Sequence, residues 1–142
     1  MNQVLQKLLD SGFPMDFQPA AAPRDIEAFE RRMGVRLPAA YREWLTFSDG
    51  GEILVPGTQF YGIHGDGGDT LHARNAAAHR GRFSLPESLY IVGRTNFGDI
   101  LCMDLAGGEL VQWDHETDEE FMRWDSLFAY MDEGLRSYSE DS

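Results

Sequence analysis

Cysteine is nearly absent from this 142-residue chain: Cys102 stands alone. A single thiol excludes an internal disulfide and a cysteine-rich metal site. Long apolar runs are absent too, and nothing approaches the ~20 residues that a bilayer-spanning helix needs. The N-terminus, MNQVLQKLLDSG, has no basic start followed by an apolar stretch, and Val4, Leu5, Leu8 and Leu9 form an amphipathic stripe instead. The expected compartment is therefore the cytoplasm, with no membrane association. Cations are scarce, with 12 Lys/Arg against 24 Asp/Glu and a net charge of −12. After residue 98 there are 13 acids and only Arg123 and Arg136, so nearly all the excess charge lies in that part. Phosphate binding needs clustered Lys and Arg, so nucleic acid is excluded as an expected partner, and a basic partner is favoured. Catalytic signatures are missing as well: the chain has no Gly-x-Ser-x-Gly, no P-loop and no His-Glu-x-x-His.

Hydrophobic residues make up 42% of the chain and aromatics 12%, enough for one globular domain over 1–142 with a core of its own. The most informative stretch runs from Ile26 to Glu52. Ile26, Phe29 and Met33 recur at helical spacing. Gly34 suits the position just past a helix end, and Pro38 the first turn of the next helix. Tyr41, Trp44, Leu45 and Ser48 share a face of that second helix, which Gly50 and Gly51 end. Ile26, Phe29, Met33, Leu37, Tyr41, Trp44 and Leu45 are expected to be buried together.

The rest of the chain changes period. A short helix is expected over Gln3–Leu9, followed by a loop from Phe13 to Pro23. Strands are expected at Ile53–Val55, stopped by Pro56 and Gly57, and at Phe60–Ile63, with a mobile loop over 64–69 and a weak helix over 69–80. A meander follows: Leu89–Arg94, a turn at Thr95–Gly98, Asp99–Asp104, a hairpin turn at Ala106–Gly108, Glu109–Asp114 and Phe121–Trp124. Ser126 suits the N-cap of a last helix in which Leu127, Tyr130, Met131 and Leu135 share a face. Helices, then hairpins, then a helix give an α+β class.

Three patches carry a resemblance. The first is Ile-x-x-Phe-Glu-x-x-x-Gly-x-x-Leu-Pro-x-x-Tyr-Arg-x-Trp-Leu with Asp49-Gly50-Gly51, covering Ile26, Phe29, Glu30, Gly34, Leu37, Pro38, Tyr41, Trp44 and Leu45. The second is Asn96-Phe97-Gly98-Asp99, and the third Val111 to Glu116 with a terminal helix. In this order they resemble the SUKH superfamily, named around a fungal regulator of cell-wall glucan synthesis and populated in bacteria mostly by immunity proteins against polymorphic toxins. The family usually has Asn before the paired glycines, where this chain has Asp49, which keeps the turn chemistry. The resemblance spans about residues 24–136. It implies a twisted antiparallel sheet of about five or six strands with N-terminal and C-terminal helices packed beside it. It also implies a non-catalytic protein that neutralises a toxin by stoichiometric binding, with a regulatory interaction module as the alternative.

The residues themselves offer little chemistry. His64, Asp66, Asp69 and His72 are metal-ligand types, but their spacing matches no ligand motif and three glycines interrupt them. A hydrolase using His64 or His115 is the remaining enzyme alternative. His115 lies between Asp114 and Glu116, yet strand neighbours point to opposite faces. Cys102 has no basic neighbour to lower its pKa. No catalytic residue, metal or cofactor is expected. The surface feature that stands out is Asp114, Glu116, Asp118, Glu119 and Glu120 beside Trp113, an acidic rim with an aromatic suited to a basic toxin domain.

Overall fold

The structure, a computed structural model, describes residues 2–13, 15–54, 57–65 and 67–140, the side chains of Leu54 and residues 138–140 excepted. Over these residues it is α+β: a six-stranded antiparallel sheet with six helices. The helices are α1 Gln3–Asp10, α2 Pro23–Met33, α3 Ala39–Phe47, α4 Leu71–Arg74, α5 Ala77–Arg80 and α6 Leu127–Glu140. The strands are β1 Gly51–Leu54, β2 Gly57–Phe60, β3 Leu89–Thr95, β4 Ile100–Asp104, β5 Leu110–Asp114 and β6 Glu119–Trp124, in spatial order equal to chain order.

Local chemistry sets the helical boundaries. The Asn2 side chain accepts from the N–H groups of Val4 and Leu5 and starts α1. Gly34 ends α2 at φ 65, a left-handed conformation that a side chain would strain. Glu30 reaches across this turn and accepts the Leu37 N–H at 2.7 Å, tying the end of α2 to the start of α3. The Ser126 hydroxyl accepts from the Ala129 N–H at the start of α6.

The core forms on both sides of the sheet. Register places Leu101 and Met103 on one face of β4 and Ile100 and Cys102 on the other, and all four are buried. The first face receives α3 and α6: Trp44 packs on Phe60 at 5.2 Å between ring centroids and Tyr130 on Trp124 at 4.8 Å. The second receives the 71–88 segment, from which Phe83 and Leu85 pack on the core. The Asn75 carboxamide pairs there with both the N–H and the C=O of Ile91 at 2.8 Å, as a neighbouring strand would. The segment before α2 is no free loop. Asp16 bridges Glu52, Gln18 N–H donates to Ser48 Oγ, and Ala21 N–H donates to the Leu45 carbonyl.

Several sequence expectations shift. Met33 is 41% exposed instead of buried: it is the last residue of α2, and the apolar stripe runs past the surface it packs on. Pro38 caps α3 from outside, its carbonyl accepting from Tyr41 and Arg42. Ser48 caps the other end of α3. Gly57 opens β2 instead of stopping a strand, because it pairs with Leu54, and β2 ends at Phe60 before Tyr61 and Ile63. The helix expected over 69–80 is two single turns broken at Asn75, whose side chain is taken by β3. Strand β6 begins at Glu119, two residues early. Val55, Pro56 and Asp66 lie outside the described residues.

Trp44 is fully buried among Phe17, Phe47 and Phe60. Trp44→Ala is expected to lower stability in urea unfolding by ~3–5 kcal/mol, the range for deleting a large core aromatic. Met33→Ala is expected to change it by under ~0.5 kcal/mol, as for a surface position. Equal effects of the two substitutions would contradict this packing.

Candidate protein-binding surface

The turns β3–β4 and β5–β6 leave the sheet at the same end, because the meander alternates direction at each strand. Two of the motif patches meet there. Asp99 Oδ1 accepts from His115 twice, from Nδ1 at 2.7 Å and from the backbone N–H at 3.3 Å, while Oδ2 accepts from Gln112 Nε2 at 2.7 Å. Gly98 lies against the His115 ring, a Cβ there falling 3.4 Å from Cε1 at a φ of +90. The brace holds the 95–99 turn, whose tip, Phe97, is 87% exposed.

The first motif patch builds the same device elsewhere. Asp49 Oδ1 accepts from the Ile63 N–H at 2.7 Å, and Oδ2 accepts from His64 Nδ1 at 2.6 Å and from its N–H at 3.3 Å. Gly50 and Gly62 permit it: a Cβ on Gly62 would lie 2.5 Å from the Asp49 carbonyl oxygen, and one on Gly50 would lie 2.8 Å from Gly62 N.

Both ring nitrogens of each histidine face carboxylates. Beyond the brace, His115 Nε2 faces Glu116 at 4.0 Å and His64 Nε2 faces Asp25 at 3.5 Å. A general base needs a nucleophile or substrate proton within reach, and among the described residues each second nitrogen meets a carboxylate. Burial pushes the Cys102 thiol up to about 12, which makes it inert. The residues His64, Asp69 and His72 do not converge: Asp69 pairs with Arg74 at 2.6 Å and His72 contacts Thr70 at 3.4 Å. Asp99, Asp114 and His115 do have ligand atoms within 4.8 Å of one another. Each carboxylate there already accepts protein N–H groups, which a cation would have to displace.

The acidic rim divides in two. Trp113 is 7% exposed and its indole N–H donates to Asp118 Oδ1 at 2.9 Å. The Asp118 carboxylate also accepts the Ser84 N–H, and these bonds hold its pKa below the usual range. Asp114 accepts the N–H groups of Glu116 and Thr117 and shapes the turn. Glu120 pairs with Arg123, which also binds Asp104 and Glu109. Glu116 and Glu119 are exposed. The structure adds two exposed side chains to this end, Phe97 and Phe121, the latter 60% exposed at an irregularity in the β5–β6 register. Phe97 between Asn and Gly in a turn carried a signal, because a turn tip has nothing to pack on. Phe121 carried none, because the run EEFMRW has no clean period.

The SMI1 / KNR4 family (SUKH-1) matches residues 20–133. No curated protein matches. Among solved structures, one described as the crystal structure of a protein from Pseudomonas syringae pv. tomato is similar in fold. Its TM-score is 0.69 at 13% identity, over 92% of this chain and 94% of that one.

The brace at Asp99 has a pH signature. Burial pushes Asp99 up, but the hydrogen bonds from His115 and Gln112 outweigh it and hold the carboxyl below its ordinary value. The Asp99 hydrogen bond raises His115 above its ordinary value. The His115 contribution to stability is complete below the unfolded pKa near ~6.5 and is lost as pH rises through the raised folded value. The Asp99 contribution is present above ~3.9 and is lost as pH falls through the depressed folded value. His115→Ala is thus expected to lower the urea midpoint more at pH 5 than at pH 9, and Asp99→Asn to return the imidazole titration toward ~6.5 by NMR. A His115 titration that ignores Asp99→Asn would rule the brace out.

Proposed function

We propose, since the chain belongs to the SMI1 / KNR4 family (SUKH-1), that it is a stoichiometric binding protein of the immunity type, neutralising a basic toxin domain by covering it. The observation that carries this reading is the end of the sheet where a braced turn presents Phe97 and the neighbouring turn and strand expose Glu116 and Glu119. That arrangement is suited to presenting a side chain: an exposed aromatic on a pre-organised turn supplies contact area at low entropic cost. The carboxylates at the same end of the sheet steer a cationic partner. No helix of the described residues is long and apolar enough to cross a membrane, in keeping with a partner met in solution.

The roles separate kinetically. Against a purified toxin domain encoded beside this chain, Phe97→Ala is expected to raise the off-rate by ~30-fold, the loss of a contact worth ~2 kcal/mol. The double reversal Glu116→Lys with Glu119→Lys is expected to act mainly on the on-rate, which falls as salt rises and the Debye length shrinks from ~10 Å at 0.1 M. Stopped-flow association at several salt concentrations measures both. An on-rate indifferent to salt and to the reversal, with an off-rate indifferent to Phe97→Ala, removes this surface from the interface. Failure to neutralise the toxin at any ratio removes the immunity reading.

A further inference from the structure

The two edges of the sheet are finished differently. The outer side of β1 is closed by the segment before α2, where Asp16 and Glu52 exchange N–H···O bonds of 3.0 and 2.9 Å. Strand β6 has a partner only on its β5 side. Among the described residues, Glu119 to Trp124 make no backbone hydrogen bond beyond that ladder. Every side chain from Glu119 to Arg123 is exposed, Phe121 and Met122 included. A strand edge with unpaired N–H and C=O groups is a template for another strand.

Charge decides which strand fits. Glu116, Glu119 and Glu120 lie along or beside the edge, and Glu133 of α6 reaches it by accepting from the Trp124 indole N–H. The cation on β6, Arg123, is already held by Asp104, Glu109 and Glu120. A second copy would oppose this acidic edge with the same acidic edge. We propose that β6 receives an extended segment of a cationic protein partner as a seventh strand, with Lys or Arg side chains beside Glu119 and apolar ones beside Phe121 and Met122. This rests on the immunity reading and specifies how the partner docks.

The test uses the full chain and a synthetic octapeptide alternating lysine and valine. Expected are chemical-shift changes and slowed amide exchange centred on Glu119 to Arg123. Binding should be ~10-fold weaker or worse for a glutamate–valine peptide, and for the lysine–valine peptide N-methylated along one edge, because charge and backbone pairing are both required. The variant Glu119→Lys with Phe121→Lys, both sites exposed, should lose the interaction while keeping its urea midpoint. Overturning results are no binding at millimolar peptide, shifts centred away from β6, or equal binding of the N-methylated peptide. A concentration-dependent dimer that the β6 variant abolishes would also overturn the proposal, assigning the edge to a second copy. Toxin neutralised with unchanged off-rate by the β6 variant defeats strand addition and leaves the immunity reading standing. Peptide binding at β6 with no toxin neutralised defeats the immunity reading and leaves the edge as a docking site.

Discussion

The placement of the helices on the sheet depends on the buried hydroxyl of Tyr41. A buried O–H must find an acceptor or cost several times what an ordinary contact gains. Tyr41 finds two, the carbonyls of Tyr61 at 2.5 Å and Val92 at 3.2 Å. These lie where β2 has ended and where β3 carries its extra residue, between the Ile91 and Gly93 pairings. Burial pushes the Tyr41 phenol well above its ordinary pKa, so it remains a donor. One turn later Trp44 settles on Phe60, and with the helix fixed at both points Leu45 and Leu37 close the same layer.

Against that frame the two aspartates of the motif patches do parallel work. Asp49 and Asp99 each accept both the ring and the backbone N–H of a histidine 15 or 16 residues onward. A carboxylate with two oxygens can join segments that no ladder joins, and the histidine supplies both donors from one residue. The result is a pair of stiff turns, in one of which an exposed phenylalanine is held out without support from the core. At these places Asp, Gly and His together do mechanical work, bracing the turns.

The legible parts of the fold were those set by neighbours in the chain. Gly34 in its left-handed cap, the stripe through Tyr41 and Trp44, the Ser126 cap and the strands after Leu89 all follow from spacing of a few residues. The α+β class and the family followed from the same stretches. What the sequence hid was set by distant partners. Trp113 and Asp118 turn inward because Ser84 waits 34 residues upstream to meet the carboxylate. Asn75 breaks an alanine-rich helix because Ile91 lacks a neighbouring strand. The acidic run looked uniform in one dimension, and only the fold separates the carboxylates that build the turn from Glu116 and Glu119 at the surface.

The identity of strand order with chain order also governs the sequence of folding events. Each ladder from β3 to β6 closes a short loop, which costs little chain entropy and favours early formation. The docking of α1 on α6, with Lys7 paired to Asp132, spans 125 positions and must wait for both termini. Helix α1 is therefore expected to open at lower free energy than β4 in native-state hydrogen exchange. A chain of this topology closes its hairpins between near neighbours, and must bring together residues 125 positions apart to seat α1 on α6.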